Sequence, residues 1–163
     1  MTLQPLYEDD FWAVHIEWTR PTGYERVLEE GCRHDETANL YLIVARFGSN
    51  RPKVVYIGHT YQQWVSKRLT QRDHQNRYAA FRKNYPRHCL LVSCGLVEIV
   101  NTKITRKRIR EIEQVLIYAN DEEQSQNLRN IYSHGVTASY RIRNCGYRCG
   151  LPKEISLGMF VKY

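Results

Sequence analysis

No apolar run in this 163-residue chain approaches the ~18 residues a membrane-spanning helix needs. Met1 to Asp10 lack a positive stretch followed by an apolar one, so no secretory signal is expected. Cysteine is scarce and odd in number, five in all, whereas secreted disulfide frameworks use even sets. Cys89 and Cys94, and Cys145 and Cys149, are spaced more widely than the close pairs of a structural zinc site, and nothing fixes His134 as a further ligand. The expectation is an intracellular, cytoplasmic protein with reduced thiols. Repeats and low-complexity tracts are missing too. The composition is that of a globular protein rather than a disordered one, with 42% hydrophobic and 25% charged residues. The length suits one domain, which buries roughly two-thirds of its unfolded surface and needs no staple.

Acidic residues are scarce beyond residue 38. Residues 1–38 hold three Arg and nine Asp/Glu, whereas residues 39–163 hold 21 Lys/Arg and eight Asp/Glu. The formal charge of +7 therefore conceals a strongly basic body behind an acidic leader. Seven cations lie between Lys67 and Arg87 with only Asp73 opposed, and five lie between Lys103 and Arg110. A single run of this kind is ordinarily a solvated helix face. Two runs on top of a chain-wide asymmetry point to a polyanion, usually DNA or RNA. The candidate contacts are Lys67, Arg72, Arg77, Arg82, Lys83, Arg106, Lys107, Arg141 and Arg143, with Arg148, Lys153, Tyr140 and Tyr147 nearby in the tail.

Periodicity sets the plan. Phe11 to Trp18 alternates, with Trp12, Val14, Ile16 and Trp18 on one face, which predicts a half-buried strand. Tyr24 to Glu30 reads as a short helix stopped by Gly31. Asn39–Phe47 and Val54–Ile57 flank a Gly/Asn/Pro loop and predict a hairpin. Helices are expected near 62–71, over 78–84 up to Pro86, and over 105–119. Cys89 to Val100 predicts a third strand with Gly95 as a possible bulge, and Ser139 to Arg143 a further one. The fold class is α/β of the α+β kind, in a single compact domain. Residues 1–38 form an acidic extension packed on a core of residues 39–130, and residues 131–163 add a basic extension. The three tryptophans are expected in the core rather than as base-stacking platforms.

The hairpin makes Tyr41 and Tyr56 neighbours on one sheet face. Five segments then follow in order: Asn39-Leu40-Tyr41-Leu42-Ile43, Tyr56-Ile57-Gly58-His59-Thr60, Lys67-Arg68-Leu69, Ile112-Glu113-Gln114-Val115-Leu116-Ile117 and Gln126-Asn127-Leu128. Over residues 38–130 this ordered set resembles the GIY-YIG nuclease superfamily. Asn39 stands where the family's first motif has glycine, and Leu40 where it has isoleucine. Arg72 stands one helical turn after the arginine, where some members carry His or Tyr, with His74 two residues on. The resemblance implies a small, mostly antiparallel three-stranded sheet flanked by helices. It also implies a metal-dependent endonuclease acting on DNA, most simply double-stranded, as a compact restriction enzyme or a phage-type enzyme that degrades foreign DNA.

The implied roles suit the residue types. Phosphodiester hydrolysis needs an activated water, stabilisation of phosphoryl charge and help for the leaving oxygen. Glu113 is the expected ligand for Mg²⁺, or Mn²⁺ in its place, since a hard cation prefers carboxylate oxygen. Arg68 offers a bidentate phosphate contact. Nearby positive charge eases deprotonation of a phenol, so Tyr41 or Tyr56 is the expected general base. Asn127 braces the site, and His59 and His74 are candidates for proton transfer. Each residue has an ordinary alternative: a tyrosine as packing, Arg68 as a solvated cation, Glu113 paired with Arg106 or Arg110 along its helix. Cutting two strands favours a homodimer or higher homo-oligomer. The other expectations are an inactive nucleic-acid-binding module of the same fold, and a protein-binding module that uses the acidic leader.

Overall fold

A computed structural model describes residues 11–120, 136 and 138–157 of the chain. Strand β1 (Phe11–Trp18) has the expected alternation, with Val14, Ile16 and Trp18 buried. A two-residue strand β2 (Thr22–Gly23) runs into helix α1 (Tyr24–Glu30), which Gly31 ends at φ 75°. The hairpin is β3 (Leu40–Arg46) and β4 (Lys53–His59). Helices α2 (Val65–Leu69) and α3 (Arg72–Asn84) follow, then β5 (Cys89–Ile99), α4 (Arg106–Ala119), β6 (Ser139–Gly146) and β7 (Glu154–Leu157). No helix among the described residues is long and apolar enough to cross a membrane.

The sheet is larger than expected. It has seven strands in the order β4-β3-β5-β1-β6-β7, with β2 pairing β5 off that path. The expected small three-stranded sheet is therefore corrected to a mixed α/β fold in which the terminal segments extend the sheet. Strand β1 pairs antiparallel with β5 and parallel with β6, the only parallel pair among the described strands. Strand β3 runs apolar from Leu40 to Ala45 because both its faces are covered. Leu40, Leu42 and Val44 pack under Ile109, Ile112, Val115 and Leu116 of α4. Tyr41, Ile43 and Ala45 pack under Val27 of α1, Val65 and Leu69 of α2 and Phe81 of α3.

Gly95 is not a bulge. It stays in register opposite Leu40 and Trp18, and a Cβ there would come within 2.6 Å of the Trp18 indole. The buried Trp18 Nε1 donates to Asn144 Oδ1 at 2.9 Å, and Asn144 Nδ2 donates to the Pro152 carbonyl at 2.8 Å, tying β1 to β6 and to the approach of β7. Trp12 packs against the core at its edge, but Trp64 is 56% exposed and so is no core residue.

The helix expected near 62–71 is shortened to Val65–Leu69, and the one expected over 78–84 begins earlier, at Arg72. The break is at Gln71, whose backbone is extended. Side chains satisfy the carbonyls freed there: Thr70 Oγ1 donates to the Lys67 oxygen at 2.8 Å and Gln75 Nε2 to the Leu69 oxygen at 2.7 Å. Buried Asp35 anchors the start of α2 by accepting from the Ser66 N–H at 2.7 Å and from the Ser66 hydroxyl. Helix α4 is capped by Thr105, whose Oγ1 accepts from the Arg108 N–H at 3.2 Å. Loss of such a cap costs about 1 kcal/mol, so Thr105→Ala is expected to lower the free energy of unfolding by that amount, read as a lower urea midpoint at unchanged slope.

Candidate active site

The α1–α3 side of the hairpin carries one cluster, assembled from four elements. Tyr41 on β3 is buried, with Gly58 of β4 directly opposite on one side and Cys94 of β5 on the other. Position 58 requires glycine because a Cβ there would overlap the Tyr41 ring. Tyr56 faces Ile43 two pairs along, and its ring lies 6.1 Å from that of Tyr41. The expected same-face pairing of the two tyrosines is thus what the hairpin register produces.

His74 of α3 enters from above, fully buried. Its Nε2 is 2.8 Å from the Tyr41 hydroxyl, and its ring packs edge-on against both tyrosines at 5.6 Å. Its Nδ1 is buried with no hydrogen-bond partner among the described residues. Arg72 points away into solvent, so His74 fills the place that the sequence left between the two. One turn on, Arg77 places its guanidinium carbon 4.3 Å from the centre of the Tyr56 ring, with Nη1 buried and unpartnered. The sequence offered Arg77 as one of the candidate nucleic-acid contacts; the fold places it half-buried over Tyr56, beside the cluster. Its one signal was the three-residue spacing from His74 on a helix.

Arg68 reaches across the α2–α3 corner. Its two terminal nitrogens meet the two oxygens of Asp73 at 3.0 and 2.9 Å, and Nη1 also donates to Gln71. Asp73, absent from the expected site, is thereby held well below the usual carboxylate range, at about 2, chiefly by that hydrogen bonding. On α4, Glu113 does not pair with Arg106 or Arg110. Its Oε2 is 2.7 Å from Nδ1 of His59, the last residue of β4. Glu113, Arg68 and Arg77 all act electrostatically on Tyr41 and Tyr56, so the two sides of the cluster share one field.

That field corrects the expectation about the phenols. Burial pushes Tyr41 well above the ordinary tyrosine range, and Glu113 adds to the rise. Arg68 and Arg77 oppose it without winning. Tyr56 is raised as well, again chiefly by burial. Neither phenol is a standing phenolate at neutral pH. Burial, with Arg68 and Arg77 behind it, pulls His74 down to about 4, so its imidazole is neutral at pH 7 and holds an added proton only weakly.

Among the described residues no three or more His, Cys, Asp or Glu gather as a metal-binding group. Glu113 with His59 offers one carboxylate and one imidazole. The hard oxygen donor fits a single Mg²⁺ that keeps most of its waters. Asn127 lies outside the described residues. The outer cations are dispersed: Lys67, Lys83 and Lys107 are exposed, Arg82 turns back to the His88 carbonyl at 3.4 Å, and Arg106 lies over Tyr61. Arg141 covers Phe11, and Arg143 is paired with Glu154 at 3.0 Å. Tyr140 is buried and donates to Glu111, so it is no phosphate contact, whereas Tyr147 is exposed.

Cys32 and Cys94 are joined as a disulfide, in place of the five reduced thiols expected. The bond ties the segment after α1 to the strand beside Tyr41. Cys89, Cys145 and Cys149 are free. Alkylation of the denatured chain without reductant is expected to label these three, and all five only after reduction. Labelling of five without reductant would show that the bond does not form in solution. Comparison with protein-family models, with curated proteins and with solved structures gives no match to this chain.

Proposed function

We propose that this chain is a nuclease of the GIY-YIG type that hydrolyses phosphodiester bonds in DNA. The observation that carries the reading is the meeting of Tyr41, Tyr56, His74, Arg77, Arg68 and Glu113 at one corner, drawn from β3, β4, α2, α3 and α4. A Mg²⁺ or Mn²⁺ ion on Glu113 would supply charge neutralisation at the phosphoryl and leaving oxygens. The residues do the rest. Because Tyr41 stays protonated, it acts through His74. The attacking water passes its proton to the Tyr41 oxygen as the Tyr41 proton moves to His74 Nε2, so the imidazole ends protonated and the phenol is regenerated. Arg77 presents a buried, unpartnered N–H beside Tyr56, a donor for a non-bridging phosphate oxygen. Arg68 joins it once phosphate replaces Asp73 on its fork. His59 orients the Glu113 carboxylate.

One observation favours a second reading, a binding module without activity. Arg68 is already engaged by a carboxylate and Glu113 by an imidazole. The deciding experiment incubates the protein with supercoiled plasmid in Mg²⁺ or Mn²⁺, beside an EDTA control. Metal-dependent nicking or linearisation is expected, and the fragment pattern reports site preference. No cleavage of plasmid, single-stranded or branched DNA in either metal would overturn the nuclease reading. A restriction or foreign-DNA role, a homodimer that cuts both strands, and a cytoplasmic setting belong to the same proposal.

A further inference from the structure

The end of the hairpin remote from Tyr41 carries a different feature. Arg46 closes β3 and Arg51 lies in the hairpin loop. Arg20 follows β1, and Arg148 lies between β6 and β7. These four arginines line a groove of about 670 Å³ whose walls contain no Asp or Glu among the described residues. Three arginines elsewhere, Arg26, Arg68 and Arg143, each hold a carboxylate. In the groove Arg148 donates to the Leu151 carbonyl at 3.1 Å, a neutral partner. Arg20, Arg46 and Arg51 make no ion pair among the described residues.

The presenting loop is braced. The Tyr147 N–H donates to the Trp18 carbonyl at 3.0 Å, and the Leu151 N–H to the Arg148 carbonyl at 3.0 Å. Gly146 permits the turn with φ 68°, and a Cβ there would come within 2.7 Å of the Glu17 carboxylate. Tyr147 is therefore held on the rim with 54% of its surface exposed. It also lines an adjoining depression of about 420 Å³, which runs past Arg20 to Arg33 and contains one carboxylate, Glu17. Together the two form a basic track with an open aromatic ring midway.

Unpaired guanidiniums facing one another are repulsive until an anion separates them. A track of them suits a chain of phosphates, and an exposed ring beside it suits an unpaired base. We propose that this groove is a nucleic-acid site distinct from the tyrosine cluster, and that it takes a single strand. The phosphates lie on Arg46, Arg51, Arg20 and Arg148, and one base stacks on Tyr147. Arg46 lies five residues along β3 from Tyr41, roughly 17 Å. The proposal does not require the chain to cut. Where it does, the favoured substrate carries a single-stranded arm beside the scissile bond.

The test measures anisotropy of a dye-labelled single-stranded oligonucleotide, and of its duplex, in EDTA over a KCl series. Arg46→Ala/Arg51→Ala is expected to weaken single-strand binding at least about tenfold and to flatten the log–log salt slope by about 1.4, the share of two phosphates. Tyr147→Ala is expected to weaken single-strand binding about fivefold or more and to leave the duplex unchanged. Glu113→Gln is expected to bind as the wild type does, which separates this site from the cleavage site. An Arg46→Ala/Arg51→Ala variant with wild-type affinity and slope would overturn the proposal. So would a Tyr147→Ala effect equal on duplex and single strand, or displacement of the oligonucleotide by polyglutamate at matched charge. Should the double variant fail to fold, Arg51→Ala alone, an exposed loop change, carries the same reading with half the slope change.

Discussion

Glu113→Gln is expected to leave supercoiled plasmid intact in Mg²⁺ under conditions where the wild type converts it, a loss of about 10²–10³-fold in rate. The substitution keeps the size of the side chain and removes its charge. Glu113 is part-exposed on α4, and its carboxylate meets His59. An amide oxygen still accepts from that imidazole, so the fold has little reason to change. What goes is the anionic oxygen that a hard cation requires. A variant that folds as the wild type and cleaves equally well would remove Glu113 from the site. Restoration of the variant by high Mn²⁺ would instead locate the defect in metal affinity. A structural role for the His59–Glu113 contact predicts a different result, a lowered thermal midpoint with unchanged metal dependence.

The parts of this architecture that sequence made legible are the ones written in local periodicity. β1 announces itself by alternation, β3 by a continuous apolar run and α4 by a 3.6-residue stripe. The Tyr41–Tyr56 neighbourhood follows from the hairpin alone. The rest depends on contacts between distant residues. No pattern within Phe11–Trp18 or Ser139–Gly146 says that the two strands lie parallel in one sheet, yet that pairing extends the sheet to seven strands. The Gln71 break contains neither Gly nor Pro and is made by the side chains of Thr70 and Gln75. Missing the break hides the corner that brings Arg68 to Asp73. His74 and Arg77 sit in a run of polar residues that reads as a solvated face, and only the packing of α3 on the sheet turns them inward. Of the arginine groove only Arg148 and Tyr147 stood out in the sequence, because its four arginines come from four separate segments.

The pH dependence of stability tests the buried imidazole directly. His74 titrates near 6.5 in the unfolded chain, and in the folded protein burial together with Arg68 and Arg77 lowers it to about 4. Over the interval between these values the unfolded state binds a proton that the folded state refuses. The contribution of neutral His74 to stability is therefore complete above about pH 6.5 and is lost as the pH falls toward 4. At about 1.4 kcal/mol for each pH unit, the loss across the window is about 3 kcal/mol. The partners hold constant meanwhile: Arg68 and Arg77 stay cationic, and Asp73 stays ionised down to about 2. His74→Gln keeps a polar atom toward the Tyr41 hydroxyl and cannot titrate. Urea unfolding between pH 7 and pH 4 is expected to show the wild type losing about 3 kcal/mol more than this variant. Parallel losses in the two proteins would mean that water reaches the imidazole and that it titrates normally. The water-excluded contact of His74 with the Tyr41 hydroxyl, on which the proposed proton path rests, would then be absent.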